Sequence, residues 1–168
     1  MVLVHGEQSD SSSWSEVIGY LERDHVPVQA VDVDFASVER DVERTRAVIE
    51  TCDGPVLLVG HARAGAVIGA AGAHLHVAGL VYVAACAPLD PIGDAAAAWR
   101  SKPCWYIVVG GGQTAPVQQR ALAQRMNAVT MELDDTGLPM VTHARAVAQM
   151  IMVAVRHVRA MSECDDLQ

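Results

Sequence analysis

Gly54-Pro55-Val56-Leu57-Leu58-Val59-Gly60-His61-Ala62-Arg63-Ala64-Gly65 is the stretch on which the fold turns. Residues 56–59 are a short apolar run between turn residues, too brief for a helix and without polar alternation, as expected of a strand covered on both faces. Directly afterwards the pattern becomes helical, and residues 64–73 are almost all small, which suits a helix wedged closely against a sheet. Gly60 follows the strand at once and Gly65 falls in the first helical turn, so the corner between them is tight.

The same alternation extends in both directions. Residues 2–4, 26–31, 79–84, 105–109 and 128–132 are further short apolar runs. Between them, Trp14, Val17, Ile18 and Leu21 fall at i, i+3, i+4 and i+7, and Val38, Val42, Thr45 and Ile49 give a second stripe; residues 117–126 and 143–158 add two more helical patterns. Ser11, Ser12 and Ser13 are placed to cap the helix containing Trp14. The expected fold is α/β, a doubly wound, mostly parallel six-stranded sheet with helices on both faces. Residues 87–102, with Pro88, Pro91 and Gly93, read as a loop with a short helix.

A length of 168 residues suits one core, placed at residues 1–160, with residues 161–168 as an acidic flexible tail. No apolar run approaches the ~18 residues of a membrane span, the opening Met1-Val2-Leu3-Val4-His5-Gly6 is unlike a secretory signal, and Cys52, Cys86, Cys104 and Cys164 are scattered without a C-x-x-C pair. A cytoplasmic location and no membrane partner are expected. A net charge of -8 without a basic stripe argues against nucleic acid as a partner.

Three segments carry a resemblance: Val2-Leu3-Val4-His5-Gly6 with Trp14 behind it, Gly54 through His61, and Leu80-Val81-Tyr82-Val83-Ala84-Ala85 with Ala87-Pro88. Together they resemble the α/β-hydrolase superfamily, in particular its small esterase and hydroxynitrile-lyase-like branch, and the likeness runs over essentially the whole chain. In that family the corner reads G-x-S-x-G and lifts a serine hydroxyl above the sheet. Here the serine position holds Ala62, which has no oxygen to attack an acyl carbon. The resemblance places the family's acid at Gly112 and its histidine at Gly137, so all three triad positions are expected to be vacant. It also implies a truncated fold without the helical cap, since little chain separates the fourth and fifth strands. A second copy of the chain is expected to cover the crevice, as a homodimer.

Carried over by resemblance, the backbone amides of Glu7, after His5-Gly6, and of Arg63, after Ala62, are expected to bind an oxyanion, because such donors do not depend on the lost side chains. Glu7 and Arg63 either form a structural ion pair or act as general base and anion holder. Gly6, Ala62, Cys86, Asp90, Gln113 and Thr136 are the expected substrate-binding positions, with Asp94 near them. His5 and His61 are expected to organise backbone, His74 and His76 lack further ligands for a metal, and His143 is not placed at the base position. No metal and no cofactor are expected. Two readings stay open: a non-hydrolytic enzyme of cyclase, isomerase or lyase type acting on a small apolar biosynthetic intermediate, or a noncatalytic protein binding a small molecule or partner chain.

Overall fold

The computed structural model describes residues 1–86, 97–134 and 137–165. Strands β1 (Val2–Val4), β2 (Gln29–Val31), β3 (Val56–His61), β4 (Val77–Val83), β5 (Cys104–Val109) and β6 (Val129–Leu133) form one six-stranded sheet in the order β2-β1-β3-β4-β5-β6. Every pairing is parallel. Helices α1 (Ser15–Arg23), α2 (Val38–Glu50), α3 (Ala64–Ala71), α4 (Pro116–Arg125), α5 (Pro139–Thr142) and α6 (Ala144–Asp165) cover both faces.

The apolar strands are explained by what lies above and below them. Val56 and Leu58 of β3 pack with Val42 and Ile49 of α2 and Ile68 of α3, whereas Leu57 and Val59 face Trp14, Leu21 and Ile151 beside α1 and α6. Successive strand residues point to opposite faces, so a strand buried on both sides reads as a continuous apolar run. Burying one such side chain is worth roughly 1.5–3 kcal/mol.

Several boundaries differ from the sequence reading. The expected strand at 26–31 pairs only from Gln29, whose N–H donates to Met1 O; Pro27 just before it has no N–H to offer the ladder. Ser11–Ser13 do not cap the first helix. They lie within a 3-10 turn (Ser11–Trp14), and the cap is Asp10, whose carboxylate accepts from the Ser12 amide at 2.9 Å. The stretch expected as a flexible tail is helical as far as Asp165, because no glycine or proline interrupts 144–165 and a started helix gains one bond per added residue. The one-turn α5, with Pro139 in its first turn, went unseen in the periodicity because four residues carry none.

From β1 the chain winds outward to β2, and from β3 it winds the other way to β4, β5 and β6. The reversal falls between the adjacent strands β1 and β3. In open α/β sheets this switch point, beyond the carboxyl ends of the strands, is where connections part and leave a crevice.

Candidate active site at the switch point

The corner leaving β3 is built around Ala62, whose φ of 49° lies in the left-handed region. An L residue with a side chain meets steric cost there, and the backbone is held on both sides. The Ala62 amide donates to Val83 O at 3.0 Å, and its carbonyl accepts from Gly65 at 3.1 Å and Cys86 at 3.2 Å. Gly65 lets the chain leaving β4 come this close: a Cβ there would stand 2.5 Å from Cys86 O. Tyr106 of β5 supports the same segment by donating its hydroxyl to Ala85 O. The strained corner thus presents a methyl group where the bend points its side chain.

The loop leaving β1 approaches from the other side of the crevice. His5 donates from Nδ1 to Gly6 O at 2.8 Å and accepts at Nε2 from the Val33 amide at 3.1 Å, so the neutral ring with its proton on Nδ1 satisfies both contacts. Gly6 packs against the corner, where a Cβ would lie 2.5 Å from His61 Nδ1 and 3.3 Å from the Ala62 methyl. The amides of Glu7 and Arg63 donate to no partner among the described residues. Each follows a residue of this close contact, and Arg63 immediately precedes the first residue of α3.

Across the gap, Arg63 Nη1 and Glu7 Oε1 pair at 2.6 Å, each side chain about two-fifths exposed. A pair this exposed contributes at most about 1 kcal/mol to stability. The guanidinium carbon also sits 5.7 Å from the centroid of the Phe35 ring. Phe35 itself has a φ of 55°, and its amide donates to Asp41 Oδ2 at 3.0 Å. Asp41 is wholly buried. Neither Phe35 nor Asp41 was singled out from the sequence. The signal available was an acidic residue on the apolar side of α2, one position before Val42 and four before Thr45.

His61 is buried against Gly6, and burial, reinforced by the neighbouring His5, lowers its pKa from 6.5 to about 4. It is neutral at ordinary pH, and its Nδ1 has no partner among the described residues. The Cys86 thiol, half-buried beside Ala62 O, has its pKa raised, chiefly by burial, and so has little thiolate character. Gly6, Glu7, Ala62, Arg63 and Cys86 are therefore gathered at the switch point. Gln113 and Gly112 are exposed in the loop after β5 and make no hydrogen bond to this group, and Gly137 is exposed ahead of α5. Asp90, Asp94 and Thr136 lie outside the described residues. His74 Nε2 stands 3.9 Å from Glu50 Oε1, with the His76 ring 5.1 Å away. Among the described residues no group of three His, Cys, Asp or Glu gathers to hold a metal. His143 caps the end of α5.

No family model matches the sequence, and no curated protein matches it. Solved structures do. A protein from Xanthomonas campestris described as a "putative hydrolase of the alpha/beta superfamily" superposes with a TM-score of 0.77 at 17% identity, covering 93% of this chain and 97% of that one. A pyrethroid hydrolase from Sphingobium faniae gives 0.76 at 16% identity over 96% and 98% of the two chains. Tomato methylketone synthase I, a histidine-to-alanine variant complexed with beta-ketoheptanoate, gives 0.71 at 11% identity over 94% and 97%. The likeness is one of fold: the chain has the α/β-hydrolase fold, in a compact form of 168 residues.

Proposed function

We propose that this chain is a non-hydrolytic enzyme that stabilises the enolate of a small, mostly apolar carbonyl compound at the switch point. The observation that carries the reading is the pair of amides at Glu7 and Arg63, without partners among the described residues, flanking a corner whose side chain is the Ala62 methyl. Two amides aimed at one oxygen stabilise negative charge whichever reaction produces it; one such donor is worth roughly 3 kcal/mol in acyl transfer. Acyl transfer through a serine ester has no nucleophile at Ala62, and the resemblance leaves Gly112 and Gly137 at the acid and base positions. Proton abstraction needs neither.

Glu7 is the base. Its Oε1 is paired with Arg63, and its Oε2 takes a proton from the carbon next to the carbonyl; the C–H electron pair becomes the C=C bond of the enolate and the C=O π pair moves onto the oxygen, held by the two amides. Returning the proton at another carbon gives an isomerase, and expelling a group gives a lyase. Arg63 holds an anionic end of the substrate. The complex of tomato methylketone synthase I with beta-ketoheptanoate suggests the probe, a β-keto carboxylate. A second copy of the chain would roof the crevice, and light scattering at micromolar concentration tests that part separately.

The experiment is exchange of the C2 protons of β-ketoheptanoate in D2O, followed by NMR above the uncatalysed background. The expected result is protein-dependent exchange that falls about 100-fold in Glu7→Gln, with an unchanged circular dichroism spectrum. Equal exchange in Glu7→Gln, or steady turnover of p-nitrophenyl acetate by the unaltered chain, overturns the proposal. The alternative, a noncatalytic protein binding the same anion, is favoured by one observation: Glu7 is engaged by Arg63 at 2.6 Å, which ties up one oxygen of the carboxylate needed as a base. It predicts binding without exchange.

A further inference from the structure

We infer that Phe35 is the positioning residue that makes Arg63 a carboxylate receptor, so that the crevice discriminates a carbonyl compound ending in a carboxylate from its neutral ester; this rests on the reading of the crevice given above. Phe35 is bulky and lies in the left-handed region, a conformation that persists only when the surroundings impose it. Asp41 imposes it. Its carboxylate accepts from the Phe35 amide at 3.0 Å and the Asp34 amide at 3.3 Å, and Arg44 stands 3.8 Å from it and 3.1 Å from Asp34. Neither amide contact depends on α2 being where it is by chance, since Val42 and Ile49 of the same helix are packed into the core.

The ring so held touches both arms of the crevice. It meets His5 edge-on, with centroids 5.8 Å apart and planes at 81°, and His5 in turn holds the Gly6 carbonyl just before the Glu7 amide. It also lies under the Arg63 guanidinium. The chemistry of that second contact matters. An aromatic face attracts a guanidinium through its quadrupole but accepts no N–H, whereas a carboxylate in its place would take two. Arg63 is thereby steadied between Phe35 and Glu7, yet among the described residues only Nη1 is committed, and the remaining donors are left to grip a planar carboxylate in two-point fashion.

Dissociation constants for β-ketoheptanoate and its methyl ester, read from amide shifts in NMR titrations, test this without requiring turnover. Phe35→Leu removes the ring and keeps its bulk apolar; Phe35→Tyr restores the ring. The expected result is that Phe35→Leu weakens the acid about tenfold, the scale of one cation–π contact, leaves the ester within twofold, and shifts the Arg63 Nε–H signal downfield, while Phe35→Tyr behaves as the parent. The inference is overturned if acid and ester weaken together, if neither weakens, or if the Arg63 signal does not move. Acid-over-ester discrimination that survives the absence of any C2 exchange sinks the enolate reading and upholds the role of Phe35; failure of the parent chain to bind either compound sinks both.

Discussion

His61 gives the molecule a pH dependence of its own. Its folded pKa of about 4 lies below the ordinary 6.5 because the charged ring is unwelcome beside Gly6 and His5. The unfolded chain therefore takes up this proton near pH 6.5, while the folded chain does not until about pH 4. Stability from the neutral ring is complete above pH 6.5 and is lost as pH falls through that window, by up to about 3 kcal/mol. Urea midpoints between pH 7 and 4 should fall steeply for the unaltered chain and less steeply for His61→Gln; parallel curves would assign the acid sensitivity elsewhere. At this scale legibility was uneven. The tight corner at Ala62 could be read because it is local, six residues that carry the end of β3 into the start of α3. Phe35 could not, since its meaning depends on Asp41, Arg63 and His5, which reach it only through folding.

The elements were legible where burial is two-sided. β3 and β5 carry long apolar runs and were found nearly whole, and α2 was found from its stripe; β2, with two of its three residues exposed, left little pattern beyond Pro27 and was drawn too long. What joins elements was not legible at all, and Gln119 is the clearest instance. This fully buried side chain on α4 accepts from the Val109 amide at 3.0 Å and donates to Val109 O at 3.1 Å and Thr114 O at 2.7 Å, tying the end of β5 and the loop after it to the helix. Gln119→Leu keeps the volume but orphans the buried amide and carbonyl of Val109 and the half-buried carbonyl of Thr114, and a buried group costs about 1–3 kcal/mol when unpaired. A loss of roughly 3 kcal/mol in urea unfolding is expected, while Gln118→Leu on the exposed face should change little. Gly65→Ala tests the corner in the same way: its methyl would meet the Cys86 carbonyl at 2.5 Å, and backbone rather than a flexible side chain must move. We expect a loss of about 2 kcal/mol or more, together with displaced amide signals for Ala62 and Arg63.

At the scale of the whole molecule, sequence alternation was sufficient for a doubly wound sheet but not for strand order. The order places β1 between β2 and β3, with Val4 paired to Val31 on one side and Gly60 on the other. Parallel pairing of this kind joins residues far apart in the chain, and such topologies fold slowly. Refolding in the range of milliseconds to seconds is expected in stopped-flow fluorescence from the three tryptophans. A fragment ending at Glu50 should lack a cooperative thermal transition, because it leaves β1 with one three-residue neighbour and an open edge. The central place of β1 also sets a timetable for synthesis. Fifty-six residues separate Val4 from its partner Gly60, an interval of about 3 to 11 s at a ribosomal rate of roughly 5–20 residues per second. Throughout that interval the nascent chain carries β1 with one adhesive edge unpaired, so a holding chaperone working on this timescale should raise the yield of native protein.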